Sequence, residues 1–478
     1  MQKKIILTLT QLVVSFLIIY SYRIFLKEKS DLDIFLNLLT FSNLINIVWT
    51  GSVSYFFTPF IIKNNYKKNE VLFYSFILFI EIVAISCIIF FSKKLFISFF
   101  DSNINNSKII ISSSYNYLVL FSFLQLTNSL LSSIILILHD TLTSILNSII
   151  PQLLSLILIF VIYLLHIRNT PFSLFFILSL SYMTLILFQV IRFRKDVKNM
   201  VLSLGPNFRR LLIYPFIIKT TYLIFLLLLA RSNTFLQSTF ALSIGAGKSS
   251  LVFYFTYFLS FIIAVIVNPI MNYLFKAQCN LWSTNRRNRI QKLFLSISKF
   301  IVTHSLFGFL LLLFICKTML SGQIDSVILQ ISTMLYAYGY IINLILVATV
   351  SRLFYLNSSV DIPNWIDLIS NIFLFLALYI LSGSLTFDIF IKINFLYSLI
   401  LVLITFLTLS KLSFLQLKIK ISDFLKFLFI LAFTIFIYFL SIKSLSFLIF
   451  GLLVQVLLTN YYFPIKRIFL HLKYLLNE

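Results

Sequence analysis

Two ionisable side chains lie in the middle of long apolar segments, where a bilayer offers no water. Lys219 stands in IIKTTYLIF and Glu81 in IEIVAISC. A charge at the centre of a membrane-spanning helix costs about 2.5–3.5 kcal/mol on insertion scales, so such residues usually mark a functional site. Lys219 is therefore a candidate ligand for an anion, and burial in a pair between helices is the alternative. For Glu81, cation coupling and structural pairing with another helix are both open interpretations.

A third polar pair stands in a later apolar segment. Asp367 and Asn371 are four positions apart, so they share one face of a helix. Their carboxylate and amide oxygens are the hard ligands that a small cation prefers. Polar packing between helices is the alternative interpretation, and it requires no ion.

The segment LDIFLNLLTFSNLINIVWTGSVSYFFTPF (32–60) carries polar residues along one side of a predicted helix. At 3.6 residues per turn, eight of them fall within about 140° of one another. They are Asp33, Asn37, Thr40, Asn43, Thr50, Gly51, Ser54 and Thr58. We expect this side to face a central cavity, and the alternative is contact with neighbouring helices.

The elements that position these residues are predicted from composition. Hydrophobic residues make up 60% of the chain and the mean hydropathy is +1.03, which is typical of a membrane protein. Since a span needs about 20 apolar residues, we place about fourteen transmembrane helices. Their approximate ranges are 5–25, 33–61, 71–92, 110–138, 143–166, 171–192, 208–231, 250–274, 290–316, 325–350, 361–383, 386–410, 421–441 and 444–465.

The predicted fold class is an all-α polytopic membrane protein. LGP at 204–206 follows a basic connector and opens the seventh span, which divides the chain into similar halves. We expect an N-terminal six-helix lobe at 1–200 and a C-terminal six-helix lobe at 201–415, placed around a central cavity. Residues 416–478 would add transmembrane helices 13 and 14.

The net charge of +24 arises from basic clusters beside the ends of the predicted spans. Basic residues at these positions set orientation and attract anionic lipid headgroups. We therefore expect both termini in the cytoplasm and a multi-pass protein in a bacterial cytoplasmic membrane. This distribution also argues against nucleic acid as a partner.

Catalytic and cofactor motifs are weak. Cys87, Cys279 and Cys316 are too scattered for a disulfide framework or a metal site, and the four histidines have no ligand spacing. GAGKSS at 245–250 lacks the first glycine and the spacing of a nucleotide-binding loop. We therefore expect neither an enzyme nor a bound cofactor or metal.

Several segments resemble the MurJ/MviN-type lipid flippases, and their order along the chain is the same. The matching segments are RIF (23–25) with DIF (33–35), TGSVSYFFTP (50–59), NSIIPQLLSLILIF (147–160), LGP (204–206), SSLVFYFTYFLSFIIAVIVNPIMNYL (249–274) and YGYIINLILVATVSRLFYLNSSVDIP (338–363). The chain is identified by these segments as a divergent member of the superfamily that also holds the Wzx-type flippases and the MATE exporters.

The resemblance implies a monomer with two lobes that open alternately to either side of the membrane. Such proteins move undecaprenyl-diphosphate-linked glycans outward, either a lipid II-like peptidoglycan precursor or a surface polysaccharide repeat unit. Some relatives bind Na⁺ on the eleventh span, so coupling to Na⁺, H⁺ or membrane potential is expected. Asp367, Asn371 and Glu81 are the candidate coupling residues.

This sequence departs from the family at the arginines that suit a diphosphate. The second-span position falls at Ile45 or Asn46, and the eighth-span position at Tyr257. The first span has no arginine before Arg23. Lys219 is therefore the expected replacement.

The full candidate set for substrate binding is Lys219, Asp33, Arg23, Asn46, Tyr257 and Arg231. Arg23 and Asp33 flank a locally neutral turn, so they could form a gate at the outer mouth of the cavity. A solvated turn is the alternative.

Two other functions stay open. An ion-coupled exporter of a small amphiphile would show dye efflux without any effect on lipid-linked sugars. A membrane glycan polymerase would need a long outer loop with acidic or basic residues.

Cysteine labelling tests the predicted orientation. In a chain without its native cysteines, single cysteines at 93–108 should react with an impermeant reagent added outside, and cysteines at 193–210 should not. The reverse pattern would contradict the assignment of both termini to the cytoplasm.

Overall fold

The computed structural model describes residues 17–26, 28–52, 68–94, 107–138, 141–165, 170–194, 213–245, 247–256 and 361–411. It also describes single helical positions at 10, 14, 97, 429, 433, 437, 449–451, 453–455 and 457–458. Within these residues the chain forms helices joined by short turns, with no strand. The predicted all-α polytopic class is confirmed.

The helices follow the hydropathy pattern. Helical residues 17–25 precede the following elements: α1 (Lys29–Ser52), α2 (Lys68–Phe91), α3 (Ser107–Leu138), α4 (Thr141–Leu164), α5 (Pro171–Arg192), α6 (Ile213–Arg231), α7 (Asn233–Ile244), α8 (Asp361–Ile380) and α9 (Phe387–Lys411). A short 3₁₀ turn, Ser382–Ser384, separates α8 from α9.

In the described part of the chain, five helices are long and apolar enough to cross a membrane, namely α1, α2, α3, α5 and α9. The bent pair Phe216–Arg231 and Asn233–Ile244 passes the same test when its two helices are taken together, as a broken span or a re-entrant loop. The chain is therefore a multi-pass membrane protein. The total of fourteen spans stays a prediction, because 257–360 and most of 412–478 lie outside the described residues.

Local sequence signals explain where helices begin. α5 occupies the predicted range 171–192 because Thr170 and Pro171 fix its first turn. The Thr170 hydroxyl accepts a hydrogen bond from the Ser173 N–H at 3.3 Å, and the Ser173 hydroxyl accepts one from the Thr170 N–H at 3.0 Å. Proline at the first helical position loses no helical hydrogen bond there. This reciprocal cap defines the start of the helix.

α7 was not predicted. The predicted spans end at 231 and resume at 250, which leaves NTFLQSTFALSI unassigned. The structure continues as helix after a 43° bend near Ser232, whose hydroxyl donates to the Leu229 carbonyl at 2.9 Å. α7 is half-buried against protein, and Phe235 contacts Phe41 of α1 with ring centroids 5.3 Å apart.

The chain divides into two compact units, 1–253 and 254–478. The predicted lobe boundaries at 200 and 415 stay predictions. In the first unit, α3 packs against α1, α2, α4 and α5, and α1 also packs against α6 and α7. In the second unit, α8 packs against α9.

Aromatic side chains connect several helices of the first unit. Phe35 of α1 lies 4.9 Å from Tyr22 and 4.9 Å from Phe175 of α5, measured between ring centroids. Phe121 of α3 continues the series, 6.0 Å from Phe175 and 5.5 Å from Tyr182. Such aromatic pairs contribute about 0.5–1.5 kcal/mol each beyond the burial of their surface.

Polar side chains connect α1 to α3 at the level of Gln125. The Gln125 amide oxygen accepts a hydrogen bond from Ser42 at 3.1 Å, and its nitrogen donates to the Asn43 side chain at 3.2 Å. Ser42 also lies 2.8 Å from the Ser122 hydroxyl. One turn further along α3, Ser129 donates to the Asn46 side chain at 2.8 Å.

These contacts favour the alternative of helix packing at one position of the polar side of 32–60. Asn43 of that side contacts the neighbouring helix α3, as does Asn46, which lies outside the eight residues, and the central cavity stays a prediction. Thr50 is exposed, and Ser54 and Thr58 lie outside the described residues. The physical reason is that hydrogen-bonding side chains stabilise contacts between helices in lipid, where apolar surface gives little preference for protein over lipid.

We predict that Gln125→Leu destabilises the protein. The substitution removes two hydrogen bonds between α1 and α3 and leaves Ser42 and Asn43 with fewer partners. The expected loss is about 1–3 kcal/mol in the free energy of unfolding. The midpoint of thermal unfolding in detergent measures it.

Thr184→Val is the matched control for this substitution. Thr184 is exposed on α5, and its hydroxyl donates only within its own helix, to the Leu180 carbonyl at 2.8 Å. Equal midpoints for Gln125→Leu and Thr184→Val would contradict a structural role for the contacts of Gln125.

Candidate functional site

Asp33 is buried near the start of α1 and binds a segment far away in sequence. Its exposed fraction is 0%. One carboxylate oxygen accepts from the Ser250 N–H at 2.7 Å and also from the Ser250 hydroxyl. The other oxygen accepts from the Gly247 N–H. Three donors from 247–250 thus surround one carboxylate.

The backbone at 247–250 explains this arrangement. Helical structure resumes at Lys248, and the Gly247 carbonyl accepts the Leu251 N–H at 3.3 Å, as expected of the residue that precedes a helix. Gly247 has φ +85°, a conformation that glycine adopts readily and other residues rarely do. Because Gly247 has no side chain to cap the helix, the Asp33 carboxylate supplies the cap from α1, where the partial positive charge of the helix N-terminus favours it.

GAGKSS therefore binds an acidic side chain of the same protein. The nucleotide-binding interpretation was rejected from the sequence, but the Asp33 contact was not predicted. The sequence signal that could have suggested it is a glycine-rich turn opening a helix, since N–H groups at helix starts bind anions.

The gate predicted at Arg23 and Asp33 stays a prediction. Arg23 lies half-buried on helical residues 17–25. In the described part of the chain, the hydrogen bonds that Asp33 accepts come from Gly247 and Ser250. A gate at Asp33 would therefore involve 247–250 in place of Arg23.

Glu81 contacts α6. One carboxylate oxygen accepts a hydrogen bond from the Thr220 hydroxyl at 2.8 Å. The other oxygen is buried and has no hydrogen-bond partner among the described residues. Tyr74 and Phe216 add a second contact between α2 and α6, with ring centroids 4.7 Å apart. Sequence reasoning identified Glu81 as a mid-span acid but could not identify Thr220 as its partner.

Lys219 directly precedes Thr220, and its side chain is exposed. The structure thus places the candidate anion ligand on the same helix as the partner of Glu81. Arg231 is the last residue of α6, where a positive charge interacts favourably with the helix C-terminus. Tyr257, the remaining member of the candidate set, lies outside the described residues.

Asp367 and Asn371 both lie on α8, as predicted. Asn371 is buried, and its amide oxygen accepts a hydrogen bond from the Tyr397 hydroxyl of α9 at 2.8 Å. Asp367 is half-buried one turn away. The Tyr397 contact fits the alternative of polar packing between α8 and α9, and the role of Asp367 and Asn371 in cation coupling stays a prediction.

In the described residues, no group of three or more His, Cys, Asp or Glu side chains is placed so that it could hold a metal ion. Among the acids, Asp33 binds the start of a helix and Glu81 contacts a hydroxyl. These arrangements can exchange hydrogen bonds and protons.

This chain is similar to known proteins in its structure. No family model matches the sequence, and no curated protein matches it. A solved lipid II flippase MurJ in an inward closed conformation is similar, with a TM-score of 0.73 and 15% identity. The similarity covers 96% of this chain and 98% of that chain.

Two MATE structures are also similar. An inward-facing multidrug resistance MATE transporter of the MOP superfamily has a TM-score of 0.61 at 12% identity, and covers 86% of this chain and 100% of that chain. A MATE protein in a straight conformation has a TM-score of 0.56 at 14% identity, and covers 85% of this chain and 94% of that chain.

The similar proteins are flippases and transporters, and at these identities they inform the fold alone. The fold of these similar structures is the one that the order of the MurJ-like sequence segments predicted. The chain has the polytopic helical fold that MurJ-type flippases share with the MATE transporters of the MOP superfamily.

Proposed function

We propose that this protein is a flippase that moves an undecaprenyl-diphosphate-linked glycan across the bacterial cytoplasmic membrane by alternating access. The observation that carries the proposal is the likeness to a lipid II flippase, which extends over nearly the whole of both chains. The MATE likeness leaves a larger part of this chain unmatched. The two additional helices predicted at 416–478 favour a flippase, since MATE exporters usually have twelve.

Lys219 is the proposed contact for the substrate diphosphate. Its side chain is exposed on α6, although Phe216 and Thr220 beside it are buried. A pair of opposite charges 4 Å apart is worth about 4 kcal/mol at an effective dielectric of 20. A lysine binds more loosely than an arginine, which would ease release on the outer side. Arg23, Asn46, Tyr257 and Arg231 stay candidate contacts.

Asp33 is the proposed gate residue. Its carboxylate holds the start of the helix at 248–256 against α1. In the transport cycle the Asp33 carboxylate releases the N–H groups of Gly247 and Ser250 when the outer side opens. It binds them again when that side closes. Alternative packings of this kind are discrete, so one contact can stabilise one state.

The remaining features follow from the family resemblance and the charge pattern. The protein acts as a monomer with both termini in the cytoplasm, and its basic connectors lie against anionic lipids. Transport is coupled to Na⁺, H⁺ or membrane potential. The glycan is a peptidoglycan precursor or a surface polysaccharide repeat unit.

A second candidate function is export of a small amphiphile. The similarity to multidrug resistance MATE transporters favours it. The dye content of cells incubated with fluorescent cationic dyes distinguishes the two functions. An exporter lowers this content, whereas a flippase leaves it unchanged.

Complementation tests the proposed function. The chain is expressed in one bacterial strain depleted of its peptidoglycan-precursor flippase, and in another that lacks its surface polysaccharide flippase. Restored growth in the first, or restored surface glycan in the second, supports the proposal and identifies the glycan class. Dye efflux without rescue of either strain would favour export instead.

Lys219→Ala should reduce the rate of transport at least about tenfold, which corresponds to ~1.4 kcal/mol of lost interaction. Lys219→Arg should retain most of the activity because the positive charge stays. Rates of glycan translocation in vesicles containing equal amounts of protein measure the effect.

Lys392→Ala is the matched control, since Lys392 also lies on an apolar helix. It is exposed, and its ammonium is 2.6 Å from Asp388 of the preceding turn, a surface pair of little energetic value. A Lys219→Ala rate equal to that of Lys392→Ala would show that Lys219 does not contact the substrate.

Asp33→Asn should slow transport while expression stays normal. The amide retains an oxygen for Ser250 but presents an NH₂ group to the Gly247 N–H, so one hydrogen bond is lost. Hydrogen bonds to charged groups contribute about 1.5–3 kcal/mol. We therefore expect at least about a tenfold change in rate.

The neighbouring acid provides the control for Asp33. Asp31 lies in the first turn of α1, and Asp31→Asn should leave the rate close to that of the native protein. Native rates for Asp33→Asn would contradict the gate.

A further inference from the structure

Only one of the two carboxyl oxygens of Glu81 has a hydrogen-bond partner among the described residues. The residue lies near the middle of the apolar stretch Val71–Phe91 of α2, between Ile80 and Ile82. The Thr220 hydroxyl lies 2.8 Å from one carboxyl oxygen. The second oxygen is buried without a hydrogen-bond partner among the described residues. The arrangement therefore differs from that of Asp33, where both oxygens accept hydrogen bonds.

If Glu81 is ionised, the Thr220 hydroxyl has more acceptors within reach than its single proton can serve. The Thr220 hydroxyl oxygen lies 2.8 Å from Glu81, 3.0 Å from the Phe216 carbonyl and 2.9 Å from the Ile217 carbonyl. All three neighbours are acceptors if Glu81 is ionised, and a hydroxyl has one proton to donate. If Glu81 holds a proton, it donates to Thr220, and Thr220 donates to its own backbone.

The energetics agree with this assignment. An ionised carboxylate within a membrane needs several partners, because an unpaired buried charge costs far more than an unpaired neutral group. Glu81 has one hydroxyl partner, and that partner also lies within reach of two carbonyl groups. A neutral carboxylic acid needs only the single donor contact that the geometry supplies. The lone pairs left on its second oxygen cost much less.

We propose that Glu81 and Thr220 form a proton-binding site between α2 and α6, and that loading and release of this proton accompany the transport cycle. On loading, a proton from water forms the O–H bond on Glu81, and the Thr220 hydroxyl turns to its backbone carbonyl. On release, that proton returns to water, and the Thr220 hydroxyl turns to the carboxylate. The coupling part rests on the proposed function, whereas the existence of the site does not.

Other titratable groups near the pair are few in the described residues. α2 packs against α3, where the Tyr115 hydroxyl donates to the Ile89 carbonyl at 2.6 Å, two turns beyond Glu81. On α6, Lys219 adjoins Thr220 and is exposed. On α2 itself, Tyr74 is buried and Cys87 is exposed. Thr220 rather than Lys219 is the hydrogen-bond partner of Glu81.

Infrared difference spectroscopy of the purified full chain tests the site directly. A protonated carboxylic acid has a C=O stretching band distinct from that of a carboxylate. We expect the native protein at neutral pH to show this acid band, and Glu81→Gln to lack it. The control Asp388→Asn, which alters an exposed acid paired with Lys392, should retain it. A native spectrum identical to that of Glu81→Gln in this region would overturn the proposal.

Variants of Thr220 test the geometry with Glu81 intact. Thr220→Val removes the acceptor of the acid proton and should shift the acid band, while Thr220→Ser keeps the hydroxyl and should leave the band in place. An acid band that is unchanged in Thr220→Val would show that Glu81 does not donate to Thr220.

Transport assays test the coupling separately. Glu81→Gln keeps a donor toward Thr220 but cannot exchange a proton, so its translocation rate should lose any dependence on an imposed proton gradient. A gradient dependence equal to that of the native protein would overturn the coupling. If the native protein translocates no glycan while the acid band is present, the proposed function fails and the proton site stands.

Discussion

Polar side chains inside a membrane have no water to bind, and each must find a partner on another helix or carry a proton or an ion. α1 illustrates this constraint at three levels. Asp33 binds the backbone at 247–250, and Asn43 and Asn46 bind α3. Apolar contacts lie between these levels, where Leu44 and Val48 pack with Leu227 of α6. The polar contacts determine which helices meet, because apolar surface contributes little specificity in lipid.

The same constraint connects the structure to transport. A polar contact in a low-dielectric environment is strong when made and costly when broken without replacement, so it favours discrete arrangements of helices. In the proposed cycle, Asp33 exchanges its N–H donors for water, and Glu81 exchanges its proton for the Thr220 hydroxyl. Both acids would then provide contacts that are made and broken between states, with Lys219 exposed next to Thr220 on α6.

The sequence predicted the helices well where hydropathy and local caps determine them. The range of α5 and the break between α3 and α4 near 140 follow from such local signals. The partner of Asp33 was not predictable in the same way, because the 247–250 turn is more than two hundred residues away and its glycine geometry is visible only in the folded chain. The orientation of Asn43 and Asn46 likewise depends on Gln125 and Ser129 of α3. The polarity of α7 concealed a helix that is stabilised by contact with α1.

The proposed function requires the protein to move a lipid-linked glycan from one leaflet to the other. The direct measurement uses liposomes of defined lipid composition that contain the purified chain and an undecaprenyl-diphosphate-linked glycan. An impermeant enzyme added outside modifies only the glycan in the outer leaflet. We expect modification to proceed beyond the outer-leaflet fraction, at a rate that rises with the amount of protein. Modification that stops at the fraction found in protein-free liposomes would contradict the account.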